Sequence, residues 1–184
     1  IKILPETIVE NALKYNCKSI AWTYNEPTIH LPFNKKTSLL ARSKNLRVIY
    51  VSNGYMSNQS LDEILTFVDA FNIDLKSMSE KFYKKICGAD LDIVLDNLRS
   101  IYLAGKHLEV TNLIINDYND STEEIEQLCD FIVDELSADV PLHFSRAFPY
   151  YKMRDIEPTN REILYEAREI AHKKGIKNVY IGNI

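Results

Sequence analysis

Ser19-Ile20-Ala21-Trp22-Thr23-Tyr24-Asn25-Glu26-Pro27 decides the fold. Its apolar half has the length and composition of a short buried strand, and it stops abruptly on an amide, a carboxylate and a proline. Pro27 has no amide hydrogen to donate, and it pushes the residue before it out of the helical region, so the strand ends here. Glu26 therefore sits at the C-terminal lip of a strand, where α/β folds assemble their ligand sites. Taken alone, Asn-Glu-Pro is also a common turn, so the rest of the chain has to decide its meaning.

Working outward, strands and helices alternate. A helix is expected from Pro5 to Tyr15, with proline in its first turn and Ile8, Val9, Ala12 and Leu13 on one stripe. Thr28 to Ser43 is mostly helical, with Pro32 interrupting it. Leu46 to Val51 is an apolar strand closed by Ser52-Asn53-Gly54. Ser60-x-x-Glu63 has the pattern of a capping box and starts a helix through Val68. A strand follows over Ala70 to Leu75, then a helical stretch over Ser79 to Ile86, and a longer helix from Leu91 to Leu103 that Gly105 terminates. His107 to Ile115 is a strand. Ser121-x-x-Glu124 caps the next helix, which turns Ile125, Leu128, Cys129, Ile132 and Leu136 inward. Leu142 to Arg146 is a strand, Thr159-x-x-Glu162 caps a helix that ends before Gly175, and Asn178 to Ile181 is the last strand. Six such alternations predict parallel βαβ units, because a parallel connection requires a crossover. An open doubly wound sheet and a partial (β/α) barrel satisfy this pattern equally.

Composition narrows the function classes. The 184 residues suffice for one domain with a sizeable core. A net charge of -4 gives no broad basic field for nucleic acid or acidic membrane. No apolar run approaches the roughly 20 residues of a membrane span. Cys17, Cys87 and Cys129 are odd in number and far apart, which argues against a disulfide framework or a close-spaced metal-ligand set and for a reducing, cytoplasmic setting. The four histidines show no metal-ligand spacing, and no phosphate loop or nucleophile elbow is present. The chain starts at Ile1 and ends on Ile-Gly-Asn-Ile, so a single domain over residues 1–184, cut from a longer protein at both ends, is expected.

The chemistry gathers at the strand ends. In order these offer Asn25 and Glu26, Ser52 and Asn53, Asp74 and Lys76, then Arg146. In a parallel sheet all lie on one rim. Carboxylates to face an ammonium and a lysine to face a carboxylate suit a zwitterionic ligand. On the strand from His107 to Ile115, Leu108 and Val110 alternate with Glu109 and Thr111. If helices cover the outside, Glu109 and Thr111 point into the lumen, and a glutamate there calls for a partner. His143 is expected to be a satisfied core or rim histidine. Phe148-Pro149-Tyr150-Tyr151 is expected to cover the mouth or pack under it.

These motifs resemble a known family. Tyr24-Asn25-Glu26-Pro27-Thr28, Val51-Ser52-Asn53-Gly54-Tyr55, Asn72-Ile73-Asp74-Leu75-Lys76 and Phe82-Tyr83-Lys84 are similar to segments of radical S-adenosylmethionine (SAM) enzymes. So are His143-Phe144-Ser145-Arg146, Tyr151-Lys152-Met153 and Val179-Tyr180-Ile181-Gly182-Asn183. The set looks closest to the radical SAM member of the AmmeMemoRadiSam system, a group similar to pyruvate formate-lyase activating enzymes. The resemblance implies an α/β fold, a partial (β/α)6 TIM-like barrel of parallel strands, with a [4Fe-4S] cluster and SAM at the strands' C-terminal ends. It places Glu26-Pro27 on the Gly-Gly-Glu-Pro motif at the methionine amino group of SAM, with Asn25 in place of a glycine. Asn53 falls in the Thr-Asn-Gly segment near SAM. Asp74 and Lys76 fall on the Asp-x-Lys motif around the methionine carboxylate. Thr111 stands where activating enzymes carry an arginine against SAM, Phe148 where they carry a SAM-facing histidine, and Val51 where they carry a cation-binding aspartate.

The family's Cys-x3-Cys-x2-Cys motif lies on the loop after its first strand, and the three cysteines here do not have that spacing. The resemblance thus implies a SAM-binding core whose first strand and cluster loop are absent from residues 1–184. By itself that core is expected to be inactive. In the intact protein SAM would be cleaved reductively to a 5′-deoxyadenosyl radical for hydrogen abstraction. A flavodoxin or ferredoxin would supply the electron, and the substrate would be a partner protein or a small molecule. The cofactor-binding candidates are Asn25, Glu26, Ser52, Asn53, Asp74, Lys76, Glu109, Thr111 and Arg146, with no metal ligand among them and no catalytic residue assigned. Two other readings stay open: a Schiff-base or metal-dependent barrel lyase with Lys76 as nucleophile beside Asp74, and a non-catalytic interaction domain.

Overall fold

A computed structural model of the chain describes residues 3–184. Six strands form one parallel sheet: β1 (Ser19–Trp22), β2 (Arg47–Ser52), β3 (Ala70–Asp74), β4 (His107–Ile114), β5 (Leu142–Arg146) and β6 (Val179–Gly182). Their order across the sheet is their order in the chain, β1 to β6, and every pairing is parallel. A doubly wound sheet reverses strand order at a switch point. None occurs here, so the helices all return on one face, and the arrangement is a partial barrel.

The packing shows which face that is. Val48 and Tyr50 on β2, Phe71 and Ile73 on β3, Leu108, Val110 and Ile114 on β4, and Leu142 and Phe144 on β5 are buried. They face the crossover helices and form the main core with Ile64, Val94, Leu98, Ile101, Leu128, Ile132 and Leu164. The alternate residues, among them Asn72, Asp74, Glu109, Thr111 and His143, are half-buried on the concave face. One side of the sheet is thus apolar and the other carries polar groups, as a barrel that leaves room inside requires.

The helices are α1 (Pro5–Lys14), α2 (Leu31–Ser43), α3 (Asn58–Leu65), α4 (Glu80–Phe82), α5 (Leu91–Leu103), α6 (Thr122–Phe131) and α7 (Arg161–Lys173). α1 packs on α2, and Val9, Ile20, Ala41 and Leu46 close a small second core there. α4 runs on into a π-helical turn over Tyr83–Cys87 and α6 into another over Ile132–Leu136.

Several expected boundaries move for identifiable reasons. Pro32 does not interrupt a helix. A 3-10 turn over Pro27–His30 precedes α2, and Pro32 stands in the first turn of that helix, where its missing amide hydrogen costs nothing. α3 starts three residues early, because Ser57 and not Ser60 accepts from the free amide, that of Ser60; the helix ends at Leu65 rather than Val68. α7 is capped by Asn160, which accepts from Glu162 N. The expected cap Thr159 is fully buried: its hydroxyl donates to Ile114 O at 2.5 Å and accepts from Ala147 N. Ser121 does cap α6, but Glu124 does not fold back on it. Its Oε1 accepts from Ser77 Oγ and from Met78 N at 3.0 Å, in the loop after β3.

Gly54, just past β2, has φ +72°, and a Cβ built there would meet Ile73 Cγ2 at 2.8 Å and Val94 Cγ1 at 3.1 Å. Gly105 has φ +67° with nothing within 4 Å. Gly105→Ala should therefore cost about 1 kcal/mol, and Gly54→Ala about 2–4 kcal/mol, because strain and overpacking add. Urea unfolding of the two variants beside wild type checks this, and equal costs would refute the steric account of Gly54.

Candidate functional site

The C-terminal rim of β1, β2 and β3 carries a polar cavity of about 360 Å³. Asn25, Glu26, Ser52, Asn53, Asp74 and Lys76 line it. Six of the nine residues singled out from sequence thus meet in one place, brought there by three parallel strands ending together.

Glu26 is the best-held group. Oε1 accepts from Thr28 N at 3.1 Å, Thr28 Oγ1 at 2.6 Å and Ser52 Oγ at 2.9 Å. Oε2 accepts from Asn53 N at 2.9 Å. The carboxylate thereby clasps the end of β1 to the end of β2. A carboxylate offers about four acceptor positions. Crowding falls on Oε1, so Oε2 is the oxygen with capacity left for a ligand's cation.

Asp74 and Lys76 pair across the loop after β3, with Nζ 2.8 Å from Oδ2. The loop is anchored from several sides. Asn112 Nδ2 donates to Leu75 O and Lys76 O at 2.8 and 3.2 Å, and Asn119 Nδ2 donates to Lys76 O at 2.6 Å. Lys76 N donates to Tyr83 Oη at 3.1 Å. Asn112 and Asn119 are both buried. Burial raises the Tyr83 phenol well above its usual range, against a smaller lowering by the Lys76 amide, so this hydroxyl stays neutral.

Glu109, Thr111 and Arg146 do not join the cavity. Glu109 and Thr111 do face the lumen as expected. Glu109 Oε2 lies 2.7 Å from His143 Nε2 and Oε1 2.9 Å from His107 Nε2, and the His143 ring stacks on Tyr180 with centroids 5.0 Å apart. Thr111 is the cross-strand neighbour of Asp74, but its hydroxyl donates to Asn72 Oδ1 at 2.7 Å. Arg146 donates through Nε to Thr159 O at 2.6 Å and lies over the Phe148 ring at 4.8 Å. The aromatic run does not pack under the mouth: Phe148, Tyr150 and Tyr151 are exposed.

The cofactor-binding candidates leave out Thr23, Tyr24 and Val51, which also line the cavity; the resemblance marked Val51 only as standing in place of a cation-binding aspartate. Tyr24 is fully exposed and holds φ +73°, a conformation that a bulky side chain rarely adopts. No residue-type preference signals it. Thr28, two residues past Glu26, could have been found as an Asx-like partner of the carboxylate.

Comparison with known proteins agrees with this architecture. The model of the radical SAM superfamily matches residues 2–132. The chain belongs to the radical SAM superfamily. An uncharacterised protein of Methanocaldococcus jannaschii is 43% identical over the whole chain, which covers 54% of that relative. The (2S)-3-sulfopropanediol dehydratase activating enzyme of Klebsiella oxytoca is 25% identical over 62% of the chain and 36% of its own length. The chain thus spans about half or less of these relatives. Among solved structures, a domain of pyruvate-formate lyase-activating enzyme from Bacteroides vulgatus has a TM-score of 0.73 at 17% identity, covering 90% of this chain and 99% of that one. Streptococcus suis SuiB bound to S-adenosylmethionine has a TM-score of 0.76 at 12% identity, covering 97% and 42%. At these identities the likeness is one of fold, and the fold is the partial radical SAM barrel.

The superfamily's cofactors are SAM and a [4Fe-4S] cluster, and this radical SAM chain fits the two unequally. The rim cavity, with an open carboxylate oxygen and a lysine, matches the amino-acid end of SAM. Among the described residues no three His, Cys, Asp or Glu side chains converge as a metal-binding group. Cys17 is exposed, Cys87 half-buried and Cys129 buried, with burial first, and the nearby Asp130 second, pushing the Cys129 thiol up to about 12. No helix of the described chain is long and apolar enough to cross a membrane.

Partial burial opposes ionisation of Glu109, but hydrogen bonds to His107 and His143 outweigh it and hold the carboxyl below its ordinary range. Its share of stability is therefore complete above the unfolded value, about 4.3, and is lost as pH falls through the lower folded value. Glu109→Gln should shrink the stability lost between about pH 6 and about pH 3. Urea denaturation across that range checks it, and equal losses in mutant and wild type would sever the link.

Proposed function

We propose that the rim cavity of this radical SAM chain binds the methionine end of SAM, and that the intact protein is an activating-enzyme-like radical SAM enzyme. When bound, SAM supplies a carbon–sulfur bond whose one-electron cleavage yields a hydrogen-abstracting 5′-deoxyadenosyl radical. The single observation that carries the reading is the convergence of Glu26, Asn53, Asp74 and Lys76 on one cavity at the ends of three consecutive strands.

In this reading Glu26 Oε2 and Asp74 accept from the ammonium of the ligand, while Lys76 meets its carboxylate. Lys76 has three donors and spends one on Asp74. Asn53 serves twice, through the amide it gives Glu26 and through its side chain on the cavity wall. Charge-assisted hydrogen bonds of this kind orient as well as bind. Ser52 and Thr28 fix the Glu26 carboxylate beforehand, so little ordering remains when the ligand enters. Asn25 completes the lip. Glu109, Thr111 and Arg146 stand further from this end of the ligand and act, if on SAM, through the concave face. Two relatives are named as activating enzymes of a dehydratase and of a decarboxylase, which supports a protein as the partner. In this reading Cys17, Cys87 and Cys129 do not hold the cluster, and the intact protein takes its electron from a separate donor.

Isothermal titration of SAM into the full-length, cluster-loaded protein tests this. Asp74→Ala and Glu26→Ala should each weaken binding by about tenfold or more, the loss of a charge-assisted contact. Glu26→Ala should also lower stability, because it unclasps β1 from β2, so Asp74→Ala is the cleaner probe. Unchanged affinity in both defeats the assignment.

A further inference from the structure

A second cavity of about 320 Å³ lies on the same rim and shares Asn53 and Lys76 with the first. Its other walls have a different chemistry. Phe82, Tyr83, Ile86, Ile115 and Met153 make them apolar. Phe82 and Tyr83 are buried, with ring centroids 6.4 Å apart and near edge-to-face. Met153 comes from the loop after β5, which a bond from Met153 N to Tyr150 O at 2.9 Å closes.

Charge is scarce there. Lys76 is the one charged side chain among the described residues lining the cavity, and Asp74 already pairs with it at 2.8 Å. Cys87 on the wall has its thiol pushed up by burial, ahead of a smaller opposing effect of Lys76. Asp74 already offsets the lysine's charge and the first cavity draws on its remaining donors, so a charged ligand group entering here would lose water for at most a shared counter-charge. An uncharged ring meets aromatic edges and a polarisable thioether, both of which favour aromatic partners. The volume is at the low end of small-ligand pockets, roughly 300–1,000 Å³. It has room for one substituted ring.

We propose that this cavity seats an uncharged aromatic group of the molecule that reacts beside SAM. The proposal rests on the SAM reading for its second half: because Asn53 and Lys76 wall both cavities, a ring in one lies next to a ligand in the other. The Tyr83 hydroxyl, which accepts from Lys76 N, ties the two together mechanically.

The test uses the full-length protein and p-cresol as the probe, with benzoate as its charged counterpart, read by saturation-transfer NMR without SAM. Wild type should transfer saturation to p-cresol more than to benzoate. Ala89→Trp, which places an indole in the cavity, should weaken p-cresol binding by about tenfold. Met153→Trp should act in the same direction and covers failure of the first variant to fold. SAM affinity by calorimetry should stay within about twofold in both. Absent transfer in wild type, equal transfer in all three proteins, or a preference for benzoate overturns the proposal. A parallel loss of SAM affinity in both tryptophan variants also overturns it, by giving the cavity to SAM itself. Failure of the SAM reading shows separately, in the Glu26 and Asp74 titrations.

Discussion

Four hydrogen bonds converge on the Glu26 carboxylate, from Thr28 N, Thr28 Oγ1, Ser52 Oγ and Asn53 N. They bind the lip of β1 to the lip of β2 at the level where backbone pairing has ended, since the β1–β2 register stops at Trp22 and Tyr50. Without that clasp two strand ends would splay into solvent, and the cavity between them would have no fixed shape. The clasp also sorts the two oxygens. Three donors on Oε1 make it structural; one donor on Oε2 leaves it chemically available. A single residue thereby both holds the site together and, in the function proposed above, faces the ligand, a double duty for which a glutamine would carry half the acceptor capacity.

The β3 side obeys a different rule. Its loop turns away from the sheet at Leu75 and Lys76, whose carbonyls find no ladder partner and would be orphaned where burial denies them water. Asn112 from β4 and Asn119 from the loop before α6 supply the donors, and Glu124 from α6 supplies an acceptor for Ser77 and Met78. A buried polar group left unpaired costs about 1–3 kcal/mol, so these three side chains fix the loop's path more firmly than apolar contacts would. Lys76 and Asp74 ride on that path. The rim is thus rigid on both sides of the cavity, by a carboxylate on one and by buried amides on the other.

Much of this was legible in the residues. All six strands were, because each is a short, largely apolar run that breaks off at a polar residue or glycine, and parallel connection follows from the helices between them. The alternation itself does not separate a barrel from a doubly wound sheet, since both share it and differ only in whether strand order reverses in space; the motif resemblance supplied the barrel, and the unreversed strand order agrees with it. Helix starts misled where two capping residues lie close together: Ser57 and Ser60, Thr159 and Asn160. Pattern cannot tell which hydroxyl or amide will be taken by tertiary contacts, and Thr159 is taken by Ile114 and Ala147. Glu124 shows the same ambiguity from the other side, with a local capping signature spent on a loop 46 residues away. At the site, the strand-end residues of β1, β2 and β3 meet in the cavity, while Arg146, at the end of β5, and Glu109 and Thr111, one step inside the barrel, lie outside it. Glu109 and Thr111 point the right way but are claimed by His143, His107 and Asn72, and sequence alone offers no account of such claims.

Those inner contacts explain how the concave face is kept. A polar face without partners would invite water or collapse, yet Glu109 spans two histidines and Thr111 pins Asn72, so the lumen beneath the rim is lined by groups that satisfy one another. Demand for ligand contacts is then confined to the rim, where Glu26 Oε2, two donors of Lys76 and the Asn53 side chain retain unused capacity. Two cavities meet at Asn53 and Lys76, one polar and one apolar. The lysine they share is fixed at both ends, by Asp74 at its ammonium and by Tyr83, Asn112 and Asn119 at its backbone. A side chain held from so many sides keeps the wall between the two cavities in place, so that filling the apolar one leaves the polar one its shape.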